Sequence, residues 1–185
     1  AGVPERAPSG DVLVTPDGTE LEYLSPEAVV GTSSLRRTAQ LLAVRPDLEI
    51  VPLRGNVDTR LEKLLAPSLQ AEHDRRIEAD EKGDTSEYDQ SPDDWFDSLS
   101  ELERSAMERR VDQEMDAIVL AEAGIRRSGL FETVETARLP KRSFVPSPGQ
   151  GAIAVTATDS ETVEEIREAV DHPRSRVETT VERTV

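Results

Sequence analysis

Three apolar runs in this 185-residue chain each end at a glycine-containing turn that leads into an arginine-bearing segment. That repeated strand–turn–helix pattern predicts an α/β fold. The first is Val29-Val30 before Gly31-Thr32-Ser33-Ser34-Leu35-Arg36-Arg37, and the second is Ile50-Val51 before Pro52-Leu53-Arg54-Gly55-Asn56-Val57-Asp58-Thr59-Arg60. The third is Ala117-Ile118-Val119-Leu120 before Ala121-Glu122-Ala123-Gly124-Ile125-Arg126-Arg127. Composition points the same way: with one Trp, two Tyr and three Phe, the core must rest on Val, Leu, Ile and Ala. In an α/β sheet such turns lie beyond the carboxyl ends of parallel strands, where ligands bind. A helix N-terminus already carries partial positive charge and unpaired N–H groups, so Arg36 and Arg37 in a first turn call for an anion.

The elements are taken in chain order. Residues 1–27 are broken by Pro4, Pro8, Gly10, Pro16, Gly18 and Pro26, with short strands or a hairpin expected at Asp11–Val14 and Glu20–Leu24. Val29-Val30 is a buried strand. Leu35 to about Val44 is a helix with Leu35, Ala39 and Leu42 on its apolar face, stopped before Pro46. Leu48–Leu53 is a strand, and Asp58 is placed to cap a helix running from Thr59 through Leu65. Asp116–Ala121 is a strand, Gly124–Leu130 a helix, and Phe131–Glu135 a short strand or loop. After Pro140, Pro146 and Pro148 comes a strand at Ala152–Thr156. A helix opens near Asp159-Ser160, with Thr162 and Glu165 as a capping box and Val163, Ile166 and Val170 apolar. It ends at His172-Pro173, and Ser175–Val185 is a last helix.

Between these, residues 66–114 hold 16 Asp/Glu against six Lys/Arg. They read as a solvated acidic insertion, with a helix start at Pro92-Asp93-Asp94 that buries Trp95, Phe96 and Leu99.

The net charge is -16, and 19 of the 22 basic residues are Arg. Abundant acid, scarce Lys and small aliphatics resemble proteins of salt-loving organisms. Such charge argues against non-specific nucleic-acid binding. No run approaches the roughly 20 apolar residues of a membrane span, and no secretory segment is visible. The absence of cysteine excludes disulfides and thiolate metal sites within the chain. His73 and His172 have no partner at metal-ligand spacing, so no metal is expected.

Gly31–Arg37, Leu53–Leu61 and Pro148-Gly149-Gln150-Gly151-Ala152 resemble the motifs of hydroxymethylbilane synthases, also called porphobilinogen deaminases. Ala123–Arg127 and Asp171-His172-Pro173 add to the likeness, which spans nearly all of the chain outside the acidic stretch. The resemblance implies a type-II periplasmic-binding-protein-like lobe with a mixed sheet and a fragment of the adjoining domain. It implies a hinge at 1–10, a second domain at 11–145 and a return segment at 146–185. The family joins four porphobilinogen units, releasing ammonia each time, in the tetrapyrrole pathway to heme and cobalamin. Its dipyrromethane cofactor is tethered to a cysteine, here expected outside this chain.

By resemblance Thr32, Ser34, Arg36, Arg37, Arg54, Asn56 and Arg60 bind the cofactor, and Arg60, Arg127, Gln150 and Gly151 bind substrate. Porphobilinogen and its linear oligomers are the expected partners of a cytoplasmic monomer with no nucleic-acid or membrane partner. The catalytic acid cannot be assigned, and the chain alone is expected to be inactive. Arg126 is expected to face solvent. The alternative is a non-catalytic anion-binding module of a periplasmic-binding-protein-like transport or sensor protein.

Overall fold

The computed structural model describes residues 1–184. It is an α/β structure whose strands are β1 (Asp11–Val14), β2 (Val29–Gly31), β3 (Glu49–Val51), β4 (Ala117–Ala121) and β5 (Thr136–Arg138). They form a five-stranded mixed sheet in the order β3-β2-β4-β1-β5. β2 pairs in parallel with both β3 and β4, with Val30 opposite Ile50 on one side and Ala117 on the other. Parallel neighbours leave β2 and β4 buried, which is why their sequences are continuous apolar runs rather than alternating ones. By contact the chain divides into two compact units, one of residues 14–118 and one of residues 1–13 with 119–184.

In the 14–118 unit, α1 (Leu35–Val44) follows β2, and α2 (Val57–Lys82) follows β3. The apolar stripe of α1 is turned out, against expectation: Leu35 is 87% exposed, while Arg37 and Leu41 face inward. The helix is oriented by Arg37, one turn before Leu41, rather than by its most apolar face. Asp58 is not the cap of α2. Asn56 is, accepting from the Thr59 N–H at 2.8 Å, and the helix runs on to a left-handed Gly83 with Pro67 inside it. Glu20–Leu24 is a 3₁₀ turn at Leu21–Tyr23, not a strand, since Leu21 and Leu24 at spacing three are the buried pair.

The acidic stretch is helical. After α2 come α3 (Pro92–Ser98) and α4 (Glu101–Met107). Ser91 caps α3, Pro92 takes its first position, and Ser100 with Glu103 forms a capping box on α4. Asp93, Asp94, Glu101 and Glu103 lie in first turns, where the helix dipole favours negative charge, so part of the acid load supports these helices. α4 buries Leu102 and Ala106. Gln70 Nε2 on α2 donates to the carbonyls of Met107 and Arg109, and Glu62 accepts from Arg109. Leu99 is buried, but Trp95 and Phe96 are only half-buried, Trp95 stacked on His73 and Phe96 tilted to it, with ring centroids 5.9 and 5.8 Å away. The Arg76 guanidinium lies 4.6 Å from the Tyr88 ring centre and 5.0 Å from that of Trp95.

In the other unit, α5 (Glu122–Arg127) follows β4, and α6 (Ser160–Val170) and α7 (Pro173–Thr184) close the described chain. Ala152–Thr156 is not a strand. Only Val155 is paired, in an antiparallel bridge with Gly2 in which each N–H donates to the other's carbonyl at 2.9 Å. Ile153 is 49% exposed, so the alternating pattern has no layer to pack on. Asp159, not Thr162, caps α6 through the Thr162 N–H. Phe131–Glu135 is turn, and the strand comes after it as β5. Val185 of the expected last helix lies outside the described residues. Among the described residues no helix is long and apolar enough to cross a membrane.

Candidate functional site

Two neighbouring turns carry seven of the expected site residues in the 14–118 unit. After β2, the buried Thr32 donates its N–H to the Val51 carbonyl and accepts the Ser34 N–H on its hydroxyl at 3.2 Å. Ser34 caps α1, its Oγ accepting the Arg37 N–H at 3.4 Å. Ser33 Oγ donates to the Leu53 carbonyl at 2.9 Å, so the turn after β2 is tied to the turn after β3. The helix N-termini of α1 and α2 thus follow adjacent parallel strands, at the carboxyl edge of the sheet.

The arginines of these turns differ in surroundings. Arg36 is half-buried and donates to Gln40 Oε1 at 3.0 Å. Arg37 is buried. Arg60 is half-buried, and its Nε donates to the Gly55 carbonyl at 2.8 Å. Burial, and then the Arg37 guanidinium, push Arg60 below the usual guanidinium value. Arg54 and Asn56 are exposed. The Ser34 and Asn56 side-chain oxygens serve as caps, and the side-chain donors gathered at these turns are the Thr32 hydroxyl and the guanidiniums of Arg36, Arg37, Arg54 and Arg60. This donor set fits a group carrying several carboxylates.

The remaining expected residues belong to the other unit. Arg127 Nη2 donates to the Gly151 carbonyl at 2.7 Å. Gln150 Nε2 donates to the Ser9 carbonyl at 2.7 Å and to Asp11 Oδ1 at 2.9 Å. Gly151 has φ +86°, and a Cβ there would stand 2.5 Å from the Ala7 carbonyl oxygen, so only glycine fits. The turn is also held by Arg6, whose Nε donates to the Gln150 carbonyl and whose fork grips Glu182 at 2.7 and 2.8 Å. The Gln150–Gly151 turn is therefore a braced piece of backbone whose polar groups are largely engaged locally.

Arg126 is exposed, as expected, but it is also engaged. It pairs with Glu122 at 2.8 Å and lies 3.7 Å over the Phe131 ring. The sequence reading also passes over two buried carboxylates, Asp11 and Glu122, each at the edge of an apolar strand run. That position was the available signal. Hydrogen bonds from Arg138 first, and then from Arg126, hold Glu122 below the usual carboxylate range against its burial. His73 is a stacking partner, and His172 Nδ1 accepts the Ser175 N–H at 3.3 Å as the cap of α7. A cavity of about 660 Å³ in the 14–118 unit is at the opposite end of β2, lined by Pro16, Val29, Leu64 and Pro67. Its charged lining residues are Asp17, Glu114 and Asp116, which suit no polyanion.

Most of the chain is similar to known proteins of one kind. The family model described as "Porphobilinogen deaminase, dipyromethane cofactor binding domain" matches residues 1–73 and 103–165 and leaves 74–102 outside. The chain is 44% identical over 227 aligned positions to a probable porphobilinogen deaminase of Halobacterium salinarum, covering 100% of this chain and 57% of that protein. It is 34% identical to a probable porphobilinogen deaminase of Nitrosopumilus maritimus, covering 100% of this chain and 44% of that one. It is 38% identical to a porphobilinogen deaminase of Desulforudis audaxviator, covering 95% and 42% respectively. The chain thus spans about half the length of the curated relatives it matches. On the matched segments and the residues they carry, the chain belongs to the porphobilinogen deaminase family.

Proposed function

We propose that the chain is the polycarboxylate-binding part of a hydroxymethylbilane synthase, the transferase that joins four porphobilinogen units with release of ammonia. The observation that carries this is the pair of capped helix starts on adjacent parallel strands, with Arg37 buried and Arg60 depressed beside it. Arg36, Arg37, Arg54 and Arg60, with Thr32, Ser34 and Asn56, would hold the acetate and propionate groups of a dipyrromethane. That group, when bound, supplies the pyrrole to which further units are added. Arg127, Gln150 and Gly151 are read as substrate-side residues. Their part is to set a fixed backbone surface, as the braced turn supports. A type-II periplasmic-binding-protein-like lobe is the architecture we infer, with residues 1–10 as hinge and 146–185 as return segment. The alternative of a non-catalytic transport or sensor module is not favoured, given the family match.

Calorimetric titration with a dipyrromethane bearing acetate and propionate side chains tests the reading. Saturable binding that weakens in Arg37→Leu is the expected result. Heat that does not saturate, or binding unchanged in that variant, overturns it.

A further inference from the structure

The cavity of about 660 Å³ at the start of β2 has no part in the anion site at the other end of that strand. Its volume falls in the range of small-molecule sites, roughly 300–1,000 Å³. Three stretches of the 14–118 unit build it. They are the loop and 3₁₀ turn after β1, the face of α2 that carries Leu64, Pro67 and Ala71, and the approach to β4 at Glu114-Met115-Asp116. The floor is apolar: Leu24, Ala28, Leu64 and Met115 are all buried.

The rim is charged, and of one sign. Asp17, Glu114 and Asp116 are the charged residues of the lining, and all three are exposed. Two of them are fixed by backbone donors: Asp17 Oδ1 accepts the Thr19 N–H at 3.0 Å, and Asp116 Oδ2 accepts the Val29 N–H at 2.7 Å. The Thr19 hydrogen bond holds Asp17 below the usual carboxylate range. None of the three pairs with an arginine or lysine among the described residues, although Asp47, Glu62 and Glu72 of the same unit do. Tyr23, one of two tyrosines in the chain, stands 73% exposed at the same rim.

Uncompensated carboxylates and an aromatic ring attract positive charge. Among the described residues no group of three His, Cys, Asp or Glu could hold a metal ion, so these carboxylates do not converge on one point. The apolar floor rewards burial of hydrocarbon instead. We propose that this cavity binds a small organic cation with an apolar body, its hydrocarbon on the floor of Leu24, Ala28, Leu64 and Met115 and its ammonium group among Asp17, Glu114 and Asp116. The site is independent of the anion site, and neither stands or falls with the other.

The test titrates the 185-residue chain with 2-phenylethylammonium chloride at fixed ionic strength, following the methionine methyl signals by ¹H–¹³C NMR. The chain has two methionines, and Met115 is the one that lines the cavity. Its methyl signal should move saturably under the ring current of the bound phenyl, while that of Met107 stays in place. The neutral analogue 2-phenylethanol should bind about tenfold more weakly, the effect of one charge-assisted contact. Ethylammonium, which has the charge without the ring, should give no saturable movement. Asp17→Asn and Asp116→Asn keep an acceptor oxygen for the Thr19 and Val29 N–H groups, and each should weaken binding by about three- to tenfold. Asp93→Asn, on α3 and outside the cavity, should leave affinity unchanged. No saturable movement at Met115, equal binding of 2-phenylethanol, or a loss in Asp93→Asn equal to that in the cavity variants overturns the proposal.

Discussion

Arg6, Arg126, Arg138 and Arg176, in the unit of residues 1–13 and 119–184, each meet a carboxylate: Glu182, Glu122 twice, and Asp171. Arg54 and Arg60, in the other unit, meet none among the described residues. Arg60 is held by a carbonyl, and the Arg54 side chain makes no hydrogen bond there. With 38 acidic residues in the chain, a guanidinium kept away from every carboxylate is the harder arrangement to maintain. An arginine already neutralised must give up its partner before it can take a ligand, and one held by a carbonyl keeps its charge available. The same residue type thus braces one unit, and in the other it pairs with carboxylates at Arg45, Arg76 and Arg109 but not at Arg54 and Arg60.

The largest break in this contrast should come from the bracing side. Glu122 is 3% exposed and serves two guanidiniums, so Glu122→Ala should lower unfolding free energy by about 2–3 kcal/mol in urea denaturation. Arg54→Leu should change it by less than about 0.5 kcal/mol. Equal effects of the two would erase the distinction.

Ligand binding should sort the arginines the other way. Arg60→Leu should weaken binding of a carboxylated dipyrromethane by about 1.5–3 kcal/mol, roughly ten- to a hundredfold. Arg126→Leu should leave affinity nearly unchanged while costing some stability through Glu122. A binding loss for Arg126→Leu comparable with that for Arg60→Leu would mean that bracing and binding are not separate.

Acid titration sharpens the bracing half. The Asp171 carboxylate accepts two hydrogen bonds from Arg176 and one from the Val3 N–H, which together hold its pKa at about 2. Because the folded value is depressed, the ionised form stabilises the fold. That contribution is complete above the unfolded value of about 3.9 and is lost as pH falls through about 2. Asp171→Asn should therefore flatten the acid limb of a stability–pH curve and leave its neutral part parallel to the parent. An unchanged acid limb would remove Asp171 from the bracing set.

The smallest effect is expected from the segment outside the family match. Replacing residues 74–102 by a short Gly-Ser linker removes the Ser100 cap and Leu102 of α4 but keeps Glu62, Gln70 and Arg109 in the chain. Loop length itself alters closure entropy by only about 0.6 kcal/mol per doubling. Binding at Arg60 should be retained, and its loss would show that the acidic helices belong to the site.

Much of the fold is legible in the sequence because local signals agree. Val29-Val30, Ser34 and Leu35–Val44 mark strand, cap and helix at their observed places. The failures have a common form. Leu35, Ala39 and Leu42 suggest one face for α1, but a buried arginine governs it. Ala152–Thr156 has strand periodicity, but only Val155 has a partner across from it. The helices of the acidic stretch are hidden by charge, although Ser91, Ser100 and Glu103 announce their starts. In the site, residue types point to carboxylates, but nothing local in the sequence shows that Gln150 and Arg127 are engaged with neighbouring backbone, or that Glu122 organises Arg126.

Trp95 is the chain's one tryptophan, and it lies stacked beside His73 and Arg76 in the segment that the family model leaves unmatched. Intrinsic fluorescence excited at the indole band therefore reports undocking of α3 from α2, not loss of the sheet. If those helices come away first, an emission-monitored melt will precede the one followed by far-UV ellipticity. Such a mismatch would reflect where the single fluorophore sits, and the stability of the sheet and the turns after β2 and β3 has to be followed by a probe placed there.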